Sequence, residues 1–172
     1  MSLSYLKAAA RMTKGRDYEP LRVNNNILII DDDNEDIRLA LQTFPIPKIT
    51  LGEIEVGYMN EKRKFVGLPT FEDITIVFAD YVDKGIAKWC AEWMKQGYDW
   101  ETGAAGMATA YKRSGRIIQF SPDGESHTRE YELIGMKPTN FDPGDADLTG
   151  EDYHRINLTV SVDKALPMLE KW

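Results

Sequence analysis

Residues 26–41, "NILIIDDDNEDIRLAL", place Asp31, Asp32, Asp33, Glu35 and Asp36 directly after an apolar run. Carboxylates crowded at the end of a strand can hold magnesium, and with a lysine nearby they support phosphoryl transfer. Asp80 follows "ITIVFA" where a phosphoacceptor would stand. "ATA" at 108–110 and Lys137 would supply a switch hydroxyl and a charge-relaying amine. Asp31, Asp33 and Glu35 also match the first three ligand positions of a calcium loop. There, however, the sixth position is Asp36 in place of glycine and the twelfth is Gln42 in place of glutamate.

Phosphoryl chemistry of the receiver type needs parallel strands joined by crossover helices of roughly a dozen residues or more. This chain does not supply them. Pro45 and Pro47 stop any helix that starts at Asp36, and residues 48–79 carry period-two segments. "IRLALQTF" alternates Ile37, Leu39 and Leu41 with Arg38, Ala40 and Gln42, which reads as a strand. Asp31 to Glu35 are then expected to be the solvated turn of a hairpin. A phosphorylation switch remains the remote alternative.

No other constellation carries catalysis. His127 and His154 lie apart, without a third ligand at metal spacing. Cys90, the lone cysteine, falls on an apolar helical stripe and reads as a buried thiol. A phosphate-binding glycine loop, a nucleophile elbow and a zinc-protease motif are all missing from the sequence. No enzyme, no cofactor and no metal are expected.

The elements around these residues are mostly strands. "RVNNNILIID", "KITLGEIEVGYMN", "KRKFVG" and "FEDITIVFADY" are expected strands, with a bulge at Gly52 where the alternation slips by one residue. One helix is expected over about 83–97, with Asp83 as its start cap and Gly97 at its end. Its core positions are Ile86, Trp89, Cys90 and Trp93. "QGYDWETGAAGMATA" reads as a loop. "GRIIQF" and "ESHTREYELIG" read as a hairpin turning at Asp123-Gly124. "KPTNFDPGDADLTGED", rich in Pro, Asp and Gly, leads to a last strand, "YHRINLTVSVDKAL". The sum is one α+β, mainly β domain over 21–172, mostly antiparallel, behind an arm of residues 1–20 that orders only against a partner.

Composition agrees with a soluble domain. The chain has 172 residues, 21 Lys+Arg against 28 Asp+Glu, and a formal net charge of -7. That balance disfavours wrapping of nucleic acid. A single cysteine fits a reducing compartment, and neither a signal-peptide core nor an 18-residue apolar span is seen. Synthesis in the cytoplasm and no membrane contact are the expectation.

Two stretches carry a resemblance. "VGYMNEKRKFVGLPTFEDITIVFADYVDKGIAKW" resembles the tail tube proteins of contractile-tailed bacteriophages, through Gly57, Tyr58, Met59 and Asn60 and then Thr70, Phe71, Glu72 and Asp73. Val56 departs from the family pattern, which has a proline in the approach. "YELIGMKPTNF" is similar to a second family segment, carried by Ile134, Gly135, Pro138, Thr139 and Asn140. The order of elements agrees from about residue 20 to 165, so the arm and "LPMLEKW" fall outside it.

The resemblance implies two packed antiparallel sheets in a small barrel or sandwich with one flanking helix. It implies a homo-hexameric ring, stacked into a tube inside a contractile sheath. Sheath, baseplate, tail terminator and a tape measure protein in the lumen would be its partners. DNA would pass through without specific binding, and the protein would reside in the virion after synthesis in the host cytoplasm. The inner tube of a type VI secretion or other contractile injection system is the alternative. Gly57, Tyr58, Met59, Asn60, Lys62, Arg63 and Lys64 are the candidate subunit contacts. Glu53, Glu55 and Glu72 are candidates to line the lumen and repel phosphates; ordinary outward-facing charges are the other reading of them.

Overall fold

The computed structural model describes residues 21–171 apart from 123, 125 and 147. The expected arm and Asp123 of the expected turn lie outside the described residues. β1 (Asn26–Ile30) leads into α1 (Glu35–Ala40), β2 (Leu41–Thr43), β3 (Ile49–Tyr58), β4 (Glu61–Phe71) and β5 (Ile74–Ala79). Next come α2 (Ile86–Gly97), β6 (Tyr98–Asp99), β7 (Ala104–Ala105) and α3 (Ala108–Tyr111). β8 (Arg113–Phe120), β9 (His127–Asp142), β10 (Arg155–Ser161), β11 (Lys164–Pro167) and a 3-10 turn (Leu169–Lys171) complete the order.

The main sheet runs β1-β8-β9-β10-β5-β2, with β11 also on β9, and every pairing is antiparallel. The receiver arrangement, which needs parallel strands, is therefore overturned. β9 belongs to two layers. Residues from Tyr131 to Ile134 pair with β11, and Lys137 to Asp142 pair with β10. At the corner between them Gly135 takes φ 71°, and a Cβ there would collide with the Asp163 carboxylate. A left-handed residue is cheap only as glycine, so Gly135 is where the long strand turns from one sheet into the other. The result is a curled half-barrel whose strand path, among the described residues, ends at β1 and β2, with β11 as a branch on β9.

The core lies inside the curl. Ile156, Leu158, Val160 and Val162 alternate inward as their period-two spacing predicts, and meet Ile74, Ile76 and Phe78 across β10–β5. α2 closes one side with Ile86, Cys90 and Trp93, all fully buried, while Trp89 is partly buried. Trp89 packs edge-on to Phe78 at 6.3 Å and against Trp93 at 5.4 Å. Trp93 also donates through Nε1 to the Tyr111 carbonyl at 2.7 Å.

Several expectations are corrected. "IRLALQTF" is a helix followed by a three-residue strand, because local capping outweighs six residues of alternation. Asn34 Oδ1 accepts from the Ile37 amide at 2.9 Å, and Glu35 and Asp36 sit in the first turn, where the helix dipole favours acids. Ile37 and Ala40 face inward at i and i+3, whereas Leu39 is exposed. β1 consequently does not form a hairpin with the next segment. Its partner is β8.

Asp83 does not cap α2. It has φ 65°, Gly85 occupies the cap position without a side-chain bond, and the helix begins at Ile86. The expected loop after α2 holds β6, β7 and α3, so α2 is not the only helix. The segment rich in Pro, Asp and Gly starts as strand, since β9 continues through "KPTNFD". The shift at Gly52 is present, as β3 and β4 slip register between Leu51 and Glu53.

Candidate assembly surface

β3 and β4 form a ribbon of 10 and 11 residues that pairs with no other strand among the described residues, and nearly all of it is exposed. β-branched and aromatic residues build it, and a two-residue turn at Met59 and Asn60 closes it, with Tyr58 opposite Glu61. Met59 carries φ 53°, a conformation an L-residue adopts at a cost of about 1 kcal/mol. Near the root, Gly52 and Gly67 meet backbone to backbone at the bulge, and a Cβ on Gly67 would lie 2.9 Å from the Gly52 carbonyl carbon.

The two faces differ. Register places Ile54 opposite Phe65, Val56 opposite Arg63 and Tyr58 opposite Glu61, giving an apolar face on which Arg63 lies 5.6 Å from the Tyr58 ring centre. The other face carries Glu53, Glu55, Lys62 and Lys64. Diagonal pairs close it: Lys64 Nζ donates to Glu53 at 2.7 Å and Lys62 Nζ to Glu55 at 3.1 Å. Glu72 sits just beyond the root and pairs with Lys48 at 3.3 Å. The seven contact candidates from Gly57 to Lys64 thus cluster in the outer half of one ribbon. Glu53 and Glu55 share a face, as their spacing predicts, and Glu72 stands apart from them. The pairing of these acids within one chain was missed. A hairpin register drawn from the turn at Met59-Asn60 would have exposed it.

The acidic stretch that opens the chain's chemistry is consumed by local structure. The Asp33 side chain, almost fully buried, accepts from the Ile30 amide at 3.1 Å and from Arg38 at 2.6 Å. Its carboxylate raises the Arg38 pKa through that bond. Asp36 accepts from Lys84 at 2.8 Å. Asp80 meets His154 Nδ1 at 3.2 Å, and His127 packs on Phe120. Among the described residues no three His, Cys, Asp or Glu side chains converge on a point that could hold a metal ion. Burial, and then the Asp80 charge, push the Cys90 thiol up to about 12, so it is no nucleophile at neutral pH. Among the described residues no helix is long and apolar enough to cross a membrane.

The cap of the anti-feeding prophage, a tube-terminating cap, superposes with a TM-score of 0.71 at 14% identity, covering 89% of this chain and 93% of that one. A chain of the sheath-tube complex of an extracellular contractile injection system superposes at 0.67 with 16% identity, over 98% of both. The fold is one found in contractile injection machines. In sequence, the chain is 31% identical over 104 residues to tail tube protein gp19 of Enterobacteria phage T4, and equally to that of phage T6. Those matches span 55% of this chain and 59% of the length of each relative. No family model matches the chain.

Proposed function

We propose that the chain is the subunit of a contractile-tail inner tube, without enzymatic activity. The β3–β4 ribbon carries the reading. A two-stranded ribbon is marginal in water unless a further strand or surface covers it, and among the described residues this one keeps an apolar face and two edges without a strand partner. Neighbouring copies would cover both, which also removes the hazard of open edge strands. Likeness to gp19 over 104 residues supports the same role.

In this reading six copies close a ring, rings stack into a tube, and the outer half of the ribbon, Gly57 to Lys64, contacts the next copy. Sheath, baseplate, terminator and tape measure proteins are its partners in the virion, and DNA is the cargo. Glu53, Glu55 and Glu72 line the lumen as lysine-paired carboxylates. An injection-system tube is favoured as the second reading by that pairing, because a charge-balanced wall suits protein cargo as well as DNA. Negative-stain electron microscopy at rising concentration, with mass from light scattering, tests assembly. Rings with a central hole or tubes are expected. A protein that remains monomeric at every concentration, even when seeded with pre-formed tail baseplates, would refute it.

A further inference from the structure

A groove of about 680 Å³ opens between β1 and β2, the two ends of the strand path among the described residues. Ile27, Leu41, Phe44 and Ile46 give it an apolar lining; Arg22 and Arg129 add positive charge at its rim, and Arg38, also in the lining, is already paired with Asp33. None of the described residues lining it is a carboxylate, in a chain of net charge -7. Two further lining residues, Asn26 and Gln119, face each other across β1–β8. Their side-chain oxygens are buried without a donor. The groove therefore suits an acidic segment with an apolar anchor.

The chain itself contains such a segment. Residues 143–152, "PGDADLTGED", hold four carboxylates and no base. The ends of the loop are tied down. Asp142 accepts from the Gly144 amide at 2.9 Å, and Tyr153 donates to Gln42 at 3.0 Å. Between them Leu148 is fully exposed, so the loop does not fill the groove of its own chain.

We propose that the 143–152 loop of one copy docks in the β1–β2 groove of a second copy. Leu148 enters the apolar lining, and Asp145 and Glu151 meet Arg22 and Arg129. Loop and groove are different surfaces, so the contact is heterologous and repeats from copy to copy, as a ring or a filament requires. It rests on the tube reading only in needing repeated copies.

Cysteine cross-linking tests this cleanly, because Cys90 is buried. Val23 lines the groove and is almost fully exposed, so Val23→Cys and Leu148→Cys leave the fold intact. The two variants are mixed in equal amounts at low salt under mild oxidation, and disulfide dimers are assigned by mass. The mixed dimer is expected to exceed either homodimer by about tenfold, and to fall several-fold as salt rises to about 0.5 M. Arg22→Glu with Arg129→Glu in the Val23→Cys copy should suppress it. Asp145→Arg with Glu151→Arg in the Leu148→Cys copy should restore it, with thermal melts verifying that each variant is folded.

A statistical mixture of dimers, or no response to salt and charge reversal, overturns the proposal. Electron microscopy of the same samples separates it from the tube reading. Rings or tubes without the mixed dimer sink the groove contact alone. The mixed dimer without rings or tubes, even in samples seeded with pre-formed tail baseplates, upholds the contact and sinks the tube.

Discussion

The apolar face of the ribbon sets a measurable scale for assembly. Ile54 and Phe65 are each 55% exposed, Val56 48% and Tyr58 62%. Fully burying an apolar side chain of this size contributes about 1.5–3 kcal/mol, so covering the remaining half of each is worth roughly 1 kcal/mol. Ile54→Ser with Phe65→Ser then removes about 2 kcal/mol from each contact the face makes, or roughly 30-fold in association constant. The isolated subunit should barely notice, since neither side chain is in the core cluster. The assay is paired: denaturant unfolding of dilute protein, and sedimentation or light scattering over a concentration series. Assembly shifted to about 30-fold higher concentration with an unchanged unfolding midpoint is the expected result. Unchanged assembly would refute the claim that this face is covered by a partner. A large loss of subunit stability would refute the claim that the ribbon stands clear of the core.

Three further outcomes follow from local geometry. Asn34→Ala deletes the cap that turns "IRLALQTF" into a helix and should lower unfolding free energy by about 1 kcal/mol in urea. Gly67→Ala places a Cβ against the Gly52 carbonyl carbon, so amide exchange in β3 and β4 should rise sharply while core exchange stays slow. Cys90 should resist thiol reagents at pH 8 in the native protein and react on unfolding. Because burial raises its folded pKa from 9.0 to about 12, the unfolded chain releases that proton first. Stability should therefore fall from pH 9 toward 12, and a Cys90→Ala variant should lose that slope.

How much the sequence reveals depends on whether a signal is local or shared. Strands β5, β8 and β10 and the buried face of α2 were legible, because each places a long periodic pattern against a large core. Ile156, Leu158 and Val160 have no other way to be buried. The first acidic stretch was misread because six residues are too few for periodicity to decide. There the Asn34 bond and the buried Asp33 determine the outcome. Asp83 failed as a cap because the turn before α2 uses left-handed residues at Asp83 and Gly85, which spacing alone does not reveal. The ribbon residues were singled out as contact candidates through a family likeness. Their division into apolar and charged faces needed the register.

The distribution of charge bears on what a tube of this chain would do. β3 and β4 together hold Glu53, Glu55 and Glu61 against Lys62, Arg63 and Lys64, three acids against three bases, so the ribbon is neutral. Residues 143–152 alone carry four acids and no base, against a chain total of -7. If the charged face of the ribbon formed the wall of a channel, Glu53 and Glu55 would bring their own counter-ions in Lys64 and Lys62. Exposed pairs of this kind are worth little to stability, but they cancel much of the field a polyanion would meet. Repulsion of DNA would then have to come from acids elsewhere on the subunit. A wall of self-paired charges should conduct cations and anions with similar ease. Replacing Lys62 and Lys64 with glutamine should make assembled tubes, inserted in a planar bilayer by a carrier or read by ion partitioning, selective for cations. Strong cation selectivity already present in the unmodified tube would show that other acids face the channel, and that the ribbon's charged face does not dominate it.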